Sequence, residues 1–230
     1  MPIQDQLDSI DNKINELLPK KSKKRSILPL RDPVYTDLFK IFFNAAGTSA
    51  KRQKDLKIAQ LQVAYTILFY LGIRVNEMRF FTRRDIENAI TTSQFNITHY
   101  KQKESHIHVI SDLAVQELKD LKNQLIIIFD KYHYQYIFGK NQPVGEKHLI
   151  HMINSDLRKT CKNNQIPYNI KSHSFRINMI SNLLQNTTIQ DTADIIGHKD
   201  IKSTIAYKRY SLNKKEIQKL LNKIDTKNNN

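Results

Sequence analysis

Residues 172–210 read SHSFRINMISNLLQNTTIQDTADIIGHKDIKSTIAYKRY. The apolar spacing predicts a helix from His173 through Leu184 and a shorter one over about Thr188 to Ile196, stopped by Gly197. His173 and Arg176 fall one helical turn apart. His198 follows the helix-breaking glycine, and Tyr207 comes nine residues later. Two imidazoles, a guanidinium and a phenol in so short a stretch suit a phosphodiester in reaction. A pentacoordinate phosphorus carries extra negative charge that fixed donors can stabilise. A tyrosine hydroxyl nearby can attack and form a covalent link.

Working toward the N-terminus, two further cations join this set. Arg74 lies in LGIRVNEM, directly after Gly72 breaks an apolar helix predicted from about Ala50 to Leu71. Leu56, Ile58, Leu61, Val63, Ala64, Ile67 and Leu68 cover a wide face of that helix, as a central buried helix requires. Lys101 lies in THYKQKE, between QFNITHY and HIHVI. These two segments alternate in polarity, contain β-branched residues and read as strands of a small antiparallel hairpin. Lys103 is a close rival to Lys101. A further strand is expected near Phe80 to Ile86.

The remaining segments predict helices. One runs through TDLFKIFFNA, capped by Asp32 or Thr36 and closed by Gly47. Others cover VQELKDLKNQLIIIFDKY and EKHLIHMINSDLRKTCKNN, with Pro167 in the loop that follows. The fold class is therefore mainly α with a small antiparallel β-sheet, an α+β arrangement.

Outside this main domain, placed at 28–211, Ile3, Leu7, Ile10, Ile14 and Leu17 recur at steps of four and three. That spacing predicts a short amphipathic helix over 1–18 with coiled-coil character. PKKSKKR opens a basic linker over 19–27. Leu212, Ile217, Leu220, Leu221 and Ile224 give residues 212–225 an apolar face, and 226–230 form a polar tail expected to be disordered. Only about 30 residues precede the main domain.

Composition narrows the partners. The 230 residues hold 37 Lys and Arg against 22 Asp and Glu, a formal net charge of +15. Such an excess favours an anionic partner, nucleic acid first. The single cysteine, Cys161, excludes an internal disulfide and a thiolate metal cluster, and reads as a structural thiol on a helix. No compact Asp/Glu/His ligand cluster is visible, so no metal is expected. The start of the chain lacks an apolar signal region, and the best apolar run, VAYTILFYLGI, is too short to span a bilayer. A secreted or membrane protein is not expected; cytoplasm and nucleus both remain open.

Taken singly, each residue has an ordinary reading. Arg74 can pair with Glu77 three residues on, Lys101 can be a turn lysine, Gly197 a helix cap, and Tyr207 a packing residue. Together, the order Arg74, Lys101, His173, Arg176, His198, Tyr207 resembles the tyrosine recombinase, or phage-type integrase, family over roughly residues 30 to 225. The resemblance implies that family's catalytic-domain fold. It implies metal-independent DNA cutting and rejoining through a 3′-phosphotyrosyl bond, with no cofactor and with double-stranded DNA as partner. Self-association on DNA as a dimer or tetramer is also implied, with residues 212–225 docking on a neighbouring protomer. Tyr207 is the implied nucleophile, with Tyr210 as rival. Arg74 and Arg176 would hold nonbridging oxygens, and Lys101 would protonate the leaving 5′-oxygen. His173 would accept the tyrosine proton or orient the phosphate, and His198 would donate to a phosphoryl oxygen. A topoisomerase-like enzyme that nicks and reseals, and a non-catalytic DNA-binding protein on the same scaffold, are the alternatives.

Overall fold

The computed structural model describes residues 34–48, 50, 52–99, 104–166 and 169–211. The 1–18 helix, the 19–27 linker, Lys101, Lys103, Pro167 and everything after Ser211 lie outside the described residues. Helix α1 (Val34–Ala45) leads into α2 (Lys54–Leu71), then a single turn, α3 (Val75–Met78), and α4 (Arg83–Thr92). Strands β1 (Gln94–His99) and β2 (Glu104–Val109) form an antiparallel pair with Phe95 opposite His108 and Ile97 opposite His106. Helices α5 (Asp112–Asp120) and α6 (Lys122–Leu125) follow, then a π-helical segment (Ile126–Lys131). The chain closes with α7 (Glu146–Asn163), α8 (Ser172–Asn186), α9 (Ile189–Ile196) and α10 (Ile201–Ser211).

The predicted class holds: helices dominate, with one two-stranded sheet. As its breadth of apolar positions requires, α2 is the central element. Leu61, Val63, Ala64, Tyr65, Ile67, Leu68 and Leu71 are fully buried, packed with Phe42 of α1 and Phe175 of α8. Its buried polar groups are satisfied. Gln60 Nε2 donates to the Ile137 carbonyl at 2.8 Å, and the Tyr65 hydroxyl to Asp156 Oδ2 at 2.7 Å. Cys161 is buried on α7, a structural thiol as expected.

Four expectations need correction. No strand runs near 80–86: Thr82 and Asp85 form a reciprocal capping box that starts α4, and Thr82 contributes only an isolated bridge to Tyr136. Such a cap contributes about 1 kcal/mol, which outweighs the strand tendency of so short a run. Helix α2 begins at Lys54 rather than near Ala50, because Gln53 takes a left-handed conformation at φ 43°. Thr36 lies inside α1 and does not cap it. The helix expected over 115–132 breaks at Leu121 and ends in a wider π turn.

Two devices place the site. Gly72, at φ 59°, ends α2 and accepts the sharp left-handed turn that a side chain would resist. A Cβ there would also lie 2.8 Å from Met179 of α8. Gly197, at φ 70°, ends α9 in the same way, as predicted. The first turn sets Arg74 beside α8, and the second turns His198 back toward it.

Candidate active site

Arg74 sits at the N-terminal cap of α3. Glu77 binds it twice: Arg74 Nη1 donates to Oε1 at 2.8 Å, and the Arg74 amide donates to Oε2 at 2.8 Å. The pairing expected from the i,i+3 spacing is therefore present. The two side chains differ in exposure, 45% for Arg74 and 6% for Glu77. The carboxylate is the fixed member, and it orients an arginine whose tip reaches solvent. Burial raises the Glu77 carboxyl, but the bonds from Arg74 outweigh it and hold the group below its ordinary value.

Arg176, on the first turns of α8, is 2% exposed. Its Nη1 donates to the Gly72 carbonyl at 2.9 Å, and its Nη2 meets His198 Nε2 at 3.0 Å. It also hydrogen-bonds Tyr207. Burial, then the nearby Arg74 charge, pulls the guanidinium down to about 10, with Glu77 opposing. Its hydrogen-bond partners among the described residues are a carbonyl, an imidazole and a phenol, and the Glu77 charge acts on it through space. Its Nε is buried without a hydrogen-bond partner among the described residues.

The bond to Arg176 fixes the tautomer of His198. A guanidinium has no acceptor, so Nε2 must accept. The ring proton therefore sits on Nδ1 and donates to Thr204 Oγ1 at 2.9 Å. Thr204 is fully buried on α10, one turn before Tyr207. It holds His198 from behind, a role with no signal in the sequence beyond its position between the two. Donation from Nε2 to a phosphoryl oxygen, the role the resemblance implies for His198, is closed to this tautomer.

Tyr207 is half-buried on α10. Its ring lies 6.1 Å from that of His198, nearly parallel, and 6.2 Å from that of His173. Burial first, then Arg176 and Arg74, lowers the pKa of His173, so the ring is neutral at physiological pH and can take a proton. Of the six residues singled out by sequence, Arg74, His173, Arg176, His198 and Tyr207 converge on one face of α8. Lys101 falls in the hairpin connection, outside the described residues. Helix α10 carries Tyr207, as the three-residue spacing of Tyr207 and Tyr210 allows. Tyr210 lies one turn further along it, where only its backbone is described.

The sequence profile of the phage integrase family matches residues 48–216. The chain belongs to the phage integrase family. Three solved structures share its fold. XerA recombinase aligns with a TM-score of 0.59 at 20% identity, over 90% of this chain and 66% of its own. XerH site-specific recombinase, bound to a palindromic difH substrate after cleavage, aligns with a TM-score of 0.59 at 11% identity, over 89% and 55%. The Tn1549 transposon integrase, in complex with transposon right-end DNA, aligns with a TM-score of 0.57 at 12% identity, over 92% and 70%. The integrase-family fold described above thus spans between about half and two-thirds of several of its solved relatives. No curated protein matches the sequence. Among the described residues, no group of three His, Cys, Asp or Glu side chains is placed to hold a metal ion, and no helix is long and apolar enough to cross a membrane.

Proposed function

We propose that the chain breaks and rejoins duplex DNA as a site-specific tyrosine recombinase. The observation that carries this reading is the convergence of Tyr207 on Arg176, His173 and His198, in a chain with an integrase-family profile. The buried positive charge of Arg176 and the exposed tip of Arg74 mark where an anion is needed. A phosphodiester meets that need with two nonbridging oxygens.

In this reading the Tyr207 hydroxyl attacks the scissile phosphorus. A bond forms between the phenolic oxygen and phosphorus, and the bond from phosphorus to the 5′-oxygen breaks. The phenolic proton passes to neutral His173, and Lys101 supplies the proton to the departing 5′-oxygen. Arg176 and Arg74 hold the charge that builds on the nonbridging oxygens. Arriving phosphate draws Arg176 away from His198. The ring then exchanges tautomers, accepts from the Thr204 hydroxyl at Nδ1 and donates to a phosphoryl oxygen from Nε2. The ester energy stays in the phosphotyrosyl bond, and a 5′-hydroxyl from the same or another duplex reverses the step, so no cofactor is required.

Solved relatives are described as bound to difH substrate, to transposon-end DNA and, as a lambda integrase tetramer, to a Holliday junction. By analogy we assign double-stranded DNA as partner and self-association on it, and the apolar face of residues 212–225 in the sequence supports that segment as the link between protomers. The test uses nicked suicide duplexes drawn from the chain's genomic neighbourhood. A covalent band on a denaturing gel that is lost in Tyr207→Phe and kept in Tyr210→Phe supports the nucleophile. Joining of two differently labelled duplexes separates recombination from nicking and resealing. Salt-sensitive binding with no adduct in any variant rejects the enzyme reading.

A further inference from the structure

The polarity of β2 runs the wrong way for a strand packed on a core. Its sequence, ESHIHV, offers Ile107 and Val109 on one face and His106 and His108 on the other. The usual choice buries the apolar pair. Here the register places Phe95 opposite His108 and Ile97 opposite His106, on the inward face. His108 is 3% exposed, while Ile107 is 57% and Val109 65% exposed. Burying an imidazole in place of an isoleucine or valine is unfavourable unless the ring is hydrogen-bonded.

The partner is the end of α9. His106 Nε2 lies 3.4 Å from the Ile195 carbonyl oxygen, and the buried His108 ring, two residues along the same strand, faces the same group. Ile195 is in the last turn of α9, where carbonyls lack an amide partner from their own helix. Two residues later comes Gly197, against which His106 packs so closely that a Cβ there would meet its ring at 2.6 Å. The next residue is His198. One strand thus grips the helix end that delivers His198 to Arg176.

We propose that His108 is a positioning residue, whose ring ties β2 to the Ile195 carbonyl and so fixes where His198 meets Arg176. The inference rests on the function proposed above, in which those two residues hold the phosphate. The groups facing His108 are His106 on its own strand, Arg176 of α8, Glu77 of α3 and the Ile195 carbonyl of α9. Burial, with the Arg176 charge close by, keeps the ring neutral, with one N–H to give and no added positive charge beside Arg176.

The experiment compares the full chain with His108→Val, which fills the site without a donor, and with His108→Asn and His108→Gln, which return an amide donor. Thermal unfolding, DNA affinity, single-turnover cleavage of the suicide duplex and ring nitrogen signals of His108 and His198 are measured. In the wild type, His108 is expected to show one protected N–H and a neutral ring at pH 7. His108→Val is expected to bind DNA within about twofold of wild type, cleave about tenfold more slowly and shift the His198 ring signals. At least one amide variant should restore cleavage to within about threefold. A wild-type His108 without a protected N–H overturns the proposal, as does a His108→Val protein with wild-type cleavage and an unchanged His198 ring. If the wild type forms no adduct, the proposed function fails, and the tie is decided by the ring signals alone.

Discussion

The Arg176 guanidinium and the His198 imidazole meet at 3.0 Å across a gap of 22 residues in the chain. One comes from the start of α8 and the other from the turn after α9. Each is held from behind, Arg176 by the Gly72 carbonyl and His198 by Thr204. These contacts hold both side chains beside Tyr207 before any ligand arrives, and in the proposed reaction the bond between them is the one exchanged for bonds to phosphate.

Arg176→Lys keeps a positive charge but loses the planar fork that reaches Gly72, His198 and Tyr207 together. Single-turnover cleavage is expected to fall by about 10²- to 10³-fold, the scale for one lost oxyanion donor. Thermal unfolding should report a loss of about 2 kcal/mol from the broken buried bonds.

Glu77→Gln removes the charge that fixes Arg74 while keeping the side chain's size. Cleavage should fall about tenfold through a less well oriented Arg74, with DNA affinity within about twofold of wild type. Paired filter-binding and cleavage measurements check this. A loss of affinity as large as the loss of rate would assign Glu77 to binding instead.

Stability should depend on pH through the buried histidines. Burial, then the charges of His106 and Arg176, lowers His108 from an ordinary 6.5 to about 4. The unfolded chain therefore binds more protons than the folded one between these values, and stability rises with pH across that window. It is complete above about 6.5 and is lost as pH falls toward 4, by on the order of 3 kcal/mol. His173, lowered mainly by burial, acts in the same direction below its ordinary value. Urea unfolding from pH 7.5 down to 4.5 should show a steeper decline in wild type than in His108→Val.

Gly197→Ala places a Cβ at φ 70° and 2.6 Å from the His106 ring. The left-handed conformation alone costs about 1–2 kcal/mol, and the displaced ring disturbs the end of α9. A lower melting temperature and slower cleavage are expected together.

Tyr65→Phe is a control. It removes the 2.7 Å bond to Asp156 in the core, where Asp156 also accepts from the Gly47 amide. The cost should be about 1–2 kcal/mol of stability, with the cleavage rate of the folded protein unchanged.

Much of the fold and most of the site are legible in the sequence. The breadth of apolar positions marks α2 as the central helix, and Gly72 and Gly197 mark the turns that aim Arg74 and His198. Helix α4 is not legible because RRDIENAITT buries little, and its start depends on a local cap between Thr82 and Asp85 rather than on apolar periodicity. Thr204 and the inward face of β2 escape a sequence reading for a different reason. Their roles exist only through contacts across the fold, with His198 and with the Ile195 carbonyl. The alternation in HIHVI shows a strand but not which face turns inward.

The decisive measurement traps the protein on a nicked suicide duplex, digests the complex with protease and locates the nucleotide-bearing peptide by mass spectrometry. A single adduct is predicted, a phosphodiester joining the 3′ end of the cleaved strand to Tyr207. An adduct on Tyr210 or any other residue would contradict the assignment of the nucleophile and the chemistry built on it.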